Sequence, residues 1–306
     1  ATMEESASLL KIDQETLTKL SKDKLNQVNF SGAGLSELAI QVISYAVEKA
    51  SKVFSINLSD NGFSSEVCRD LSRMLSVNYN LVFVDFSYNK IDNEGAEHLS
   101  MGLLKENKIK TLYLNSNVIG AIGISKLSIS IARMTKLVSL DLSQNPIGDE
   151  GASYLFRALR DNKVCEVLNL SNCDVMACPF AGELRIMGQL AELNLSQNRI
   201  SDRGVADLSD ALEACVCLRH LDLSNNYFGG KHAVKVGEML EHNKGLLSLS
   251  LSSNHAIYQV WNSVAVGLMK NRTLMRLNLT LCDINLQAAE RIHESLAVNN
   301  VCTVDL

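Results

Sequence analysis

The chain repeats a pattern about every 28 residues, and this period constrains its fold more than any other feature of the sequence. One copy places apolar residues at Leu81, Val84, Phe86 and Ile91, with Asn89 between the last two. The spacing between copies is 28 residues, except for 25 between Cys165 and Leu190 and 27 between Leu274 and Val301. Such a period predicts stacked copies of one structural unit. The units begin at Leu25, Val53, Leu81, Ile109, Leu137, Cys165, Leu190, Leu218, Leu246 and Leu274, and Val301 begins a partial one.

Each unit reads as a short strand, a turn and a helix. Val84 and Phe86 are two residues apart, so they lie on one face of a strand. The Asn89 side chain follows, where it can bond backbone groups that the turn leaves unpaired. Asp92 then begins a helix with Ala96 and Leu99 at helical spacing. Because no unit can bury its own core, the pattern predicts a curved solenoid with strands on its concave side and helices on its convex side.

This pattern resembles the leucine-rich repeat, in its long ribonuclease-inhibitor form, from Leu25 onward. The resemblance implies an α/β, right-handed horseshoe with a parallel concave sheet and convex helices. Residues 25–306 then hold ten full units plus a partial final strand, and residues 1–24 form an N-terminal helical cap. In that cap we expect Asp13 to begin a helix that turns Leu17 and Leu20 toward the first repeat. Because the last strand ends at Leu306 without a cap, we also expect a trimmed C-terminus.

Two units depart from the pattern. The 25-residue unit contains Pro179, and its helix is expected to shorten to 180–187. Trp261 occupies a helix position that other units fill with Ala, such as Ala96 and Ala152. We interpret this Trp as repacked core, with a binding anchor as the alternative.

The composition argues against several classes of function. The chain has 29 Lys and Arg against 34 Asp and Glu, and without a basic cluster it is a poor nucleic-acid binder. No apolar run approaches the roughly 18 residues of a membrane span. The eight Cys form no disulfide framework, which indicates a reducing compartment. We therefore expect a cytoplasmic protein, or a bacterial one delivered to host cytosol.

Catalytic and metal motifs are missing from the sequence. Cys173 and Cys282 fill the asparagine position of their repeats, and no Cys-x2-Cys pairs of the zinc-binding kind occur. The six His are dispersed, without an H-E-x-x-H motif. Gly32 and Gly34 are an isolated pair rather than a phosphate-binding loop. We expect no enzyme activity, no metal, no cofactor and no small-molecule substrate.

The third, fifth and seventh positions of each unit are predicted to point into concave solvent. Most are small and polar, but Phe83, Tyr88 and Tyr113 are predicted to form an exposed aromatic cluster. Alternatively, these rings pack on one another or under the N-terminal cap. The alternative binding surfaces are the end from His220 to Arg276 and the convex helices. The candidate partner-binding residues are Phe83, Asp85, Tyr88, Tyr113, Asp141, Glu192, His220, Asp222 and Arg276.

The sequence favours a non-catalytic module that binds a folded protein partner on its concave face. The resemblance to ribonuclease-inhibitor-type repeats implies steric inhibition or regulation of a partner enzyme. One alternative is an activator of a small GTPase, because one such family shares this repeat type, although that family carries an acidic tail and this chain stops at Leu306. Another is a structural subunit of a larger assembly, docked through the C-terminal edge.

Overall fold

A computed structural model describes Ile12 and residues 14–306. The chain divides into two compact units, Ala1–Pro146 and Ile147–Leu306, called the first and second units below. Each unit holds a parallel sheet whose strands alternate along the chain with helices. The strand–turn–helix repeat and the α/β class are therefore confirmed. The expected helix start at Asp13 lies outside the described residues, and the division at residue 24 stays a prediction.

Among its described residues, the first unit contains five strands, paired in chain order. They are β1 (Gln27–Asn29), β2 (Ser55–Asn57), β3 (Phe83–Asp85), β4 (Thr111–Tyr113) and β5 (Ser139–Asp141). The helices of this unit are α1 (Gln14–Ser21), α2 (Glu37–Lys49), α3 (Cys68–Val77), α4 (Asn93–Leu103) and α5 (Ala121–Ile131), with a 3₁₀ turn at Ser65–Val67. Leu20 of α1 is buried as predicted, whereas Leu17 is only half-buried.

The second unit contains six strands, also paired in chain order. They are β6 (Val167–Asn169), β7 (Glu192–Asn194), β8 (His220–Asp222), β9 (Ser248–Ser250), β10 (Arg276–Asn278) and β11 (Thr303–Asp305). The helices are α6 (Gly148–Asn162), α7 (Ala181–Leu184), α8 (Asp202–Leu212), α9 (Lys235–His242), α10 (Tyr258–Lys270) and α11 (Leu286–Val298), with a 3₁₀ turn at Lys231–Val234.

The core of each repeat lies between its strand and its helix. In the copy that begins at Leu81, the side chains of Val84 and Phe86 are fully buried, as are Ala96 and Leu99 from the helix side. Trp261 is 1% exposed, so the core interpretation of this residue is confirmed. Burial of these side chains supplies most of the driving force for stacking, at about 1.5–3 kcal/mol for each large apolar side chain.

A ladder of buried asparagines ties each turn to the repeat before it. The Asn117 side-chain amide donates to the carbonyls of Phe86, Leu114 and Asn115, and its oxygen accepts the N–H of Ile91. The predicted backbone-bonding role of this column is therefore confirmed. Comparable bonds are made by Asn61, Asn89, Asn145, Asn198, Asn226 and Asn254.

A second asparagine ladder, which we did not predict, lies at the ends of the helices. Asn243 follows α9, is fully buried, and donates to the carbonyls of Leu212 and Cys215 in the preceding repeat. Asn78, Asn271 and Asn299 do the same in their repeats. Buried carbonyls at helix ends need partners, and these amides supply them.

The helix starts and lengths only partly follow the sequence patterns. Asp92 caps α4 as predicted, with its carboxylate accepting the N–H groups of Glu94 and Gly95. The analogous Asp149 instead accepts the N–H groups of Met176 and Ala177 in the next repeat, and α6 has no side-chain cap bond.

The helix of the 25-residue repeat, predicted at 180–187, is shorter than expected and covers only Ala181–Leu184. Phe180 stacks on Phe156 at a centroid distance of 4.0 Å, and both rings are buried. This aromatic pair fills core volume beside the short helix. Across residue 12 and residues 14–306, none of the helices combines the length and apolarity that crossing a bilayer requires.

Candidate functional site

The sheet face opposite the helices is here called the strand face. In β4 the central Leu112 is buried, while Thr111 and Tyr113 on either side of it are partly exposed. The same alternation holds in β2 and β5. Because side chains alternate along a strand, the third- and fifth-position residues of the repeats share the strand face. The predicted register of these two columns is confirmed.

Phe83 and Tyr113 form an aromatic pair on the strand face of the first unit. Strands β3 and β4 pair with Phe83 opposite Thr111 and Asp85 opposite Tyr113, so the two rings meet across a diagonal. Their centroids are 5.5 Å apart with an interplanar angle of 81°, an edge-to-face geometry. Both side chains are half-buried. Each ring restricts the other, so the pair presents an ordered apolar patch.

Tyr88 does not join this pair, contrary to the predicted cluster of three. It lies beyond the end of β3, in a turn where its backbone is left-handed with φ of 54°. Its N–H donates to the carbonyl of Asn115, and its side chain is 53% exposed. Among the described residues, no ring contact involves Tyr88. The turn carries this side chain away from the strand direction that Phe83 follows.

Asp85 is buried, which contradicts its predicted exposure on the concave face. One carboxylate oxygen accepts both the N–H and the hydroxyl of Ser87, at 2.9 and 2.6 Å. Asp141 accepts the same two groups from Ser143 and is half-buried. Ser143 itself is only 4% exposed, so the prediction that seventh-position side chains point into solvent is wrong there. These short polar residues fold onto the backbone at the strand ends, which leaves less polar surface for a partner.

Glu192, His220 and Asp222 come together on the strand face of the second unit. Strands β7 and β8 place Glu192 opposite His220, and both side chains are exposed. Asp222 is half-buried, and one of its carboxylate oxygens accepts the N–H of Ser224 at 2.8 Å. A cavity of about 360 Å³ is lined by these residues with Asn169, Asn194, Ser248 and others. Glu192 and Asp222 bring two carboxylates to the cavity, so it suits a cationic or hydrogen-bonding side chain.

Arg276 does not belong to that cavity. Its guanidinium pairs with the carboxylate of Asp305 in β11, through Nε and a terminal nitrogen, both at 3.0 Å. Ion pairs between exposed side chains contribute about 0–1 kcal/mol, so this pair adds little to stability. The structure therefore gathers the predicted site residues into separate groups rather than one site.

A basic cavity beside the loops that follow the helices of the first unit was not predicted from the sequence. Lys105, Lys108 and Lys136 line it together with Tyr79, around a volume of about 540 Å³. Glu106 also lines the cavity, so its three lysines face one carboxylate. The sequence signal was the segment from Lys105 to Lys108. The cavity concentrates positive charge in an otherwise mildly acidic chain.

No metal-binding cluster is evident in the described part of the chain, where no three His, Cys, Asp or Glu side chains converge. All eight cysteines are free thiols. Seven of them are buried, and Cys217 is half-exposed.

Comparisons with known proteins agree with the repeat. Models of the leucine-rich repeat match residues 77–100, 106–128, 133–156, 190–209, 217–238 and 270–292. Each matched segment contains one strand and the start of the helix that follows it. Among solved structures, Leiomodin-1 Actin-Binding Site 2 is similar at 16% identity and a TM-score of 0.35, over 51% of this chain and 78% of that one. No curated protein matches the chain.

Proposed function

The chain is a leucine-rich-repeat protein, and on that premise we propose that it is a non-catalytic module that binds a folded protein partner. The contact is centred on Phe83 and Tyr113, on the strand face of the first unit. The observation that carries this proposal is the edge-to-face pair of these two rings at 5.5 Å. Aromatic side chains are scarce here, at 5% of the sequence, and two of them are placed together on the polar face of a sheet.

The ring pair is ordered before any partner binds, and this lowers the entropic cost of binding. Partly exposed rings reduce solubility, and the core of the repeat does not need them, because the same strand positions are filled by Ser, Asn and Asp in other repeats. A pair that is already ordered loses little conformational entropy when a partner covers it. Aromatic residues are also the side chains most enriched among those that dominate interface energies. Binding therefore supplies the reason for their exposure.

The half-buried Asp141 side chain adds negative charge beside the ring pair, since it lies opposite Tyr113 in the pairing of β4 with β5. The partner surface that fits is apolar at its centre with a basic residue at its rim. We further propose that the partner is an enzyme whose active site the module covers, and that the complex forms in a reducing, cytosolic setting. The eight free thiols support that setting.

The double variant Phe83→Ala with Tyr113→Ala is expected to weaken partner binding about thirtyfold, because loss of interface aromatics costs about 2 kcal/mol or more. Thermal unfolding should shift little, since neither ring lies in the core between strands and helices. The matched control is Tyr227→Ala in the second unit, which removes an aromatic side chain that is 76% exposed and should bind as the parent does.

The measurement is quantitative capture from native lysate with the parent, the double variant and the control, followed by titration of the captured protein. The proposal requires a protein retained by the parent and by Tyr227→Ala and depleted with the double variant. Equal retention by all three would place the binding surface elsewhere. Addition of the purified partner enzyme to the module then tests inhibition directly.

A further inference from the structure

Cys215 and Cys217 form a close thiol pair in the turn between α8 and β8. Their sulfur atoms are 3.6 Å apart, which is van der Waals contact. Cys215 is buried, whereas Cys217 is half-exposed and lies within hydrogen-bond distance of the Met187 carbonyl, at 3.1 Å. Val216 between them is 65% exposed, so the turn lies at the protein surface. Cys217 is therefore the more exposed residue of the pair.

The surroundings of this pair differ from those of the other cysteines. Burial raises the pKa of Cys68 and of Cys165 to about 12, which keeps these thiols protonated and unreactive. At Cys215, the hydrogen bond from Cys217 lowers the pKa to about 6, against the opposing effect of burial. The N–H groups of Leu218 and Cys217 and the charge of Arg219 act in the same direction as that bond. The same contact raises the pKa of Cys217, so Cys215 is the more acidic thiol of the pair.

We propose that Cys215 and Cys217 are an oxidation site, at which hydrogen peroxide closes a disulfide between the two sulfurs. Two features of the geometry carry the proposal: the contact between the two sulfurs and the greater exposure of Cys217.

The chemistry balances with peroxide as the two-electron oxidant. The proton between the two sulfurs first moves to Cys215, which leaves Cys217 as the thiolate. This thiolate attacks one peroxide oxygen, the O–O bond breaks, and hydroxide leaves. This step gives a sulfenic acid at Cys217. Hydroxide then takes the proton from Cys215, forming water. The regenerated Cys215 thiolate attacks the Cys217 sulfur, forms the S–S bond and expels hydroxide. One thiol, one thiolate and one peroxide thus give one disulfide, one water and one hydroxide.

The hydrogen bonds around Cys215 and Cys217 determine which of the two residues must move when the disulfide forms. A disulfide has sulfurs about 2.05 Å apart, so the pair must approach by roughly 1.5 Å. The backbone of Cys215 is held, because its N–H donates to the Leu212 carbonyl and its carbonyl accepts the buried amide of Asn243. The approach therefore falls mainly to the half-exposed Cys217 side chain, which gives up its contact with Met187.

The test treats the fully reduced, folded protein with a small excess of hydrogen peroxide at neutral pH and then quenches the peroxide. Thiol counting under denaturing conditions should fall from eight to six. The intact mass should fall by about 2 Da, since two hydrogens leave. A proteolytic peptide should contain Cys215 linked to Cys217. Dithiothreitol should restore all eight thiols.

Variants assign the reaction to the pair. Cys217→Ser and Cys215→Ser each retain seven cysteines, and neither variant should form a disulfide or lose the mass of two hydrogens. Any cysteine that reacts in these variants should carry a single oxidation adduct. The matched control Cys302→Ser removes a thiol whose pKa burial raises to about 11, and it should still lose two of its seven. Eight surviving thiols in the parent, addition of oxygen without disulfide, or a disulfide mapped to other cysteines would each overturn the proposal. The parent peptide map decides the question even if a serine variant misfolds.

Discussion

The Asn117→Ala variant is expected to lower the free energy of unfolding by about 3–5 kcal/mol, a large effect for one polar side chain. Four hydrogen bonds disappear with the amide. Each contributes about 0.5–1.5 kcal/mol, and a buried N–H left without a partner costs a further 1–3. That N–H belongs to Ile91, which bonds the Asn117 oxygen at 2.9 Å. The carbonyls of Phe86 and Leu114 suffer less, because Asn89 and Asn145 also donate to them.

Urea denaturation followed by circular dichroism measures this loss, and Asn115→Ala is the matched control. Asn115 is the same residue type two positions earlier, on the strand-end side and half-buried, so its replacement should cost less than about 0.5 kcal/mol. Asn117→Asp keeps the shape and the acceptor but loses the donors, and it should be at least as damaging as Ala because it also buries a charge. If Asn117→Ala and Asn115→Ala unfold at the same urea concentration, the ladder does not contribute as described.

The first asparagine ladder was predictable because its position in the repeat is fixed relative to the strand. The second ladder was not, although Asn243, Asn271 and Asn299 are also 28 residues apart. An asparagine after a helix can equally well be a solvent-exposed C-cap. Only the packing of neighbouring repeats shows that these amides are buried. A sequence pattern therefore predicts the face on which a residue lies more reliably than it predicts how deeply the residue is buried.

At the candidate site, too, the face on which a side chain lies was predicted better than its burial. Strand alternation and the 28-residue step were sufficient to predict that Phe83 and Tyr113 meet on one face. They did not predict that Asp85 folds onto Ser87, since this depends on hydrogen bonds made where the strand ends.

Contacts that depend on side-chain rotamers or on the separation of helices could not be predicted from the sequence. The contact between Cys215 and Cys217 depends on rotamers in a turn, which no periodicity specifies. Helix–helix separation is also invisible in a single sequence. Gly237 in α9 and Gly267 in α10 read as weak points of their helices, because glycine costs about 1 kcal/mol relative to alanine in a helix interior. The structure shows instead that the two backbones approach closely at these residues.

Replacing Gly237 with alanine is therefore expected to destabilise the second unit by about 3 kcal/mol, at the upper end of overpacking costs, although helix propensity alone predicts a gain. A Cβ at Gly237 would overlap the carbonyl carbon and oxygen of Ser263 in α10. These are backbone atoms, so relief requires the helices to separate rather than a side chain to turn. Separation would loosen buried neighbours such as Val264 and Leu240, which lie between the helices and their sheet.

The control for this substitution is Gly182→Ala in α7, where an added Cβ meets no atom within 4 Å. Freed of steric conflict, that variant should be neutral or stabilised by up to about 1 kcal/mol. Alanine is thus expected to destabilise the protein at Gly237 but not at Gly182. The difference separates the effect of the contact between α9 and α10 from that of backbone entropy. Thermal and urea unfolding of both variants measure that difference. If Gly237→Ala is as stable as Gly182→Ala, α9 and α10 can separate enough to accommodate a methyl group, and their close contact does not limit stability.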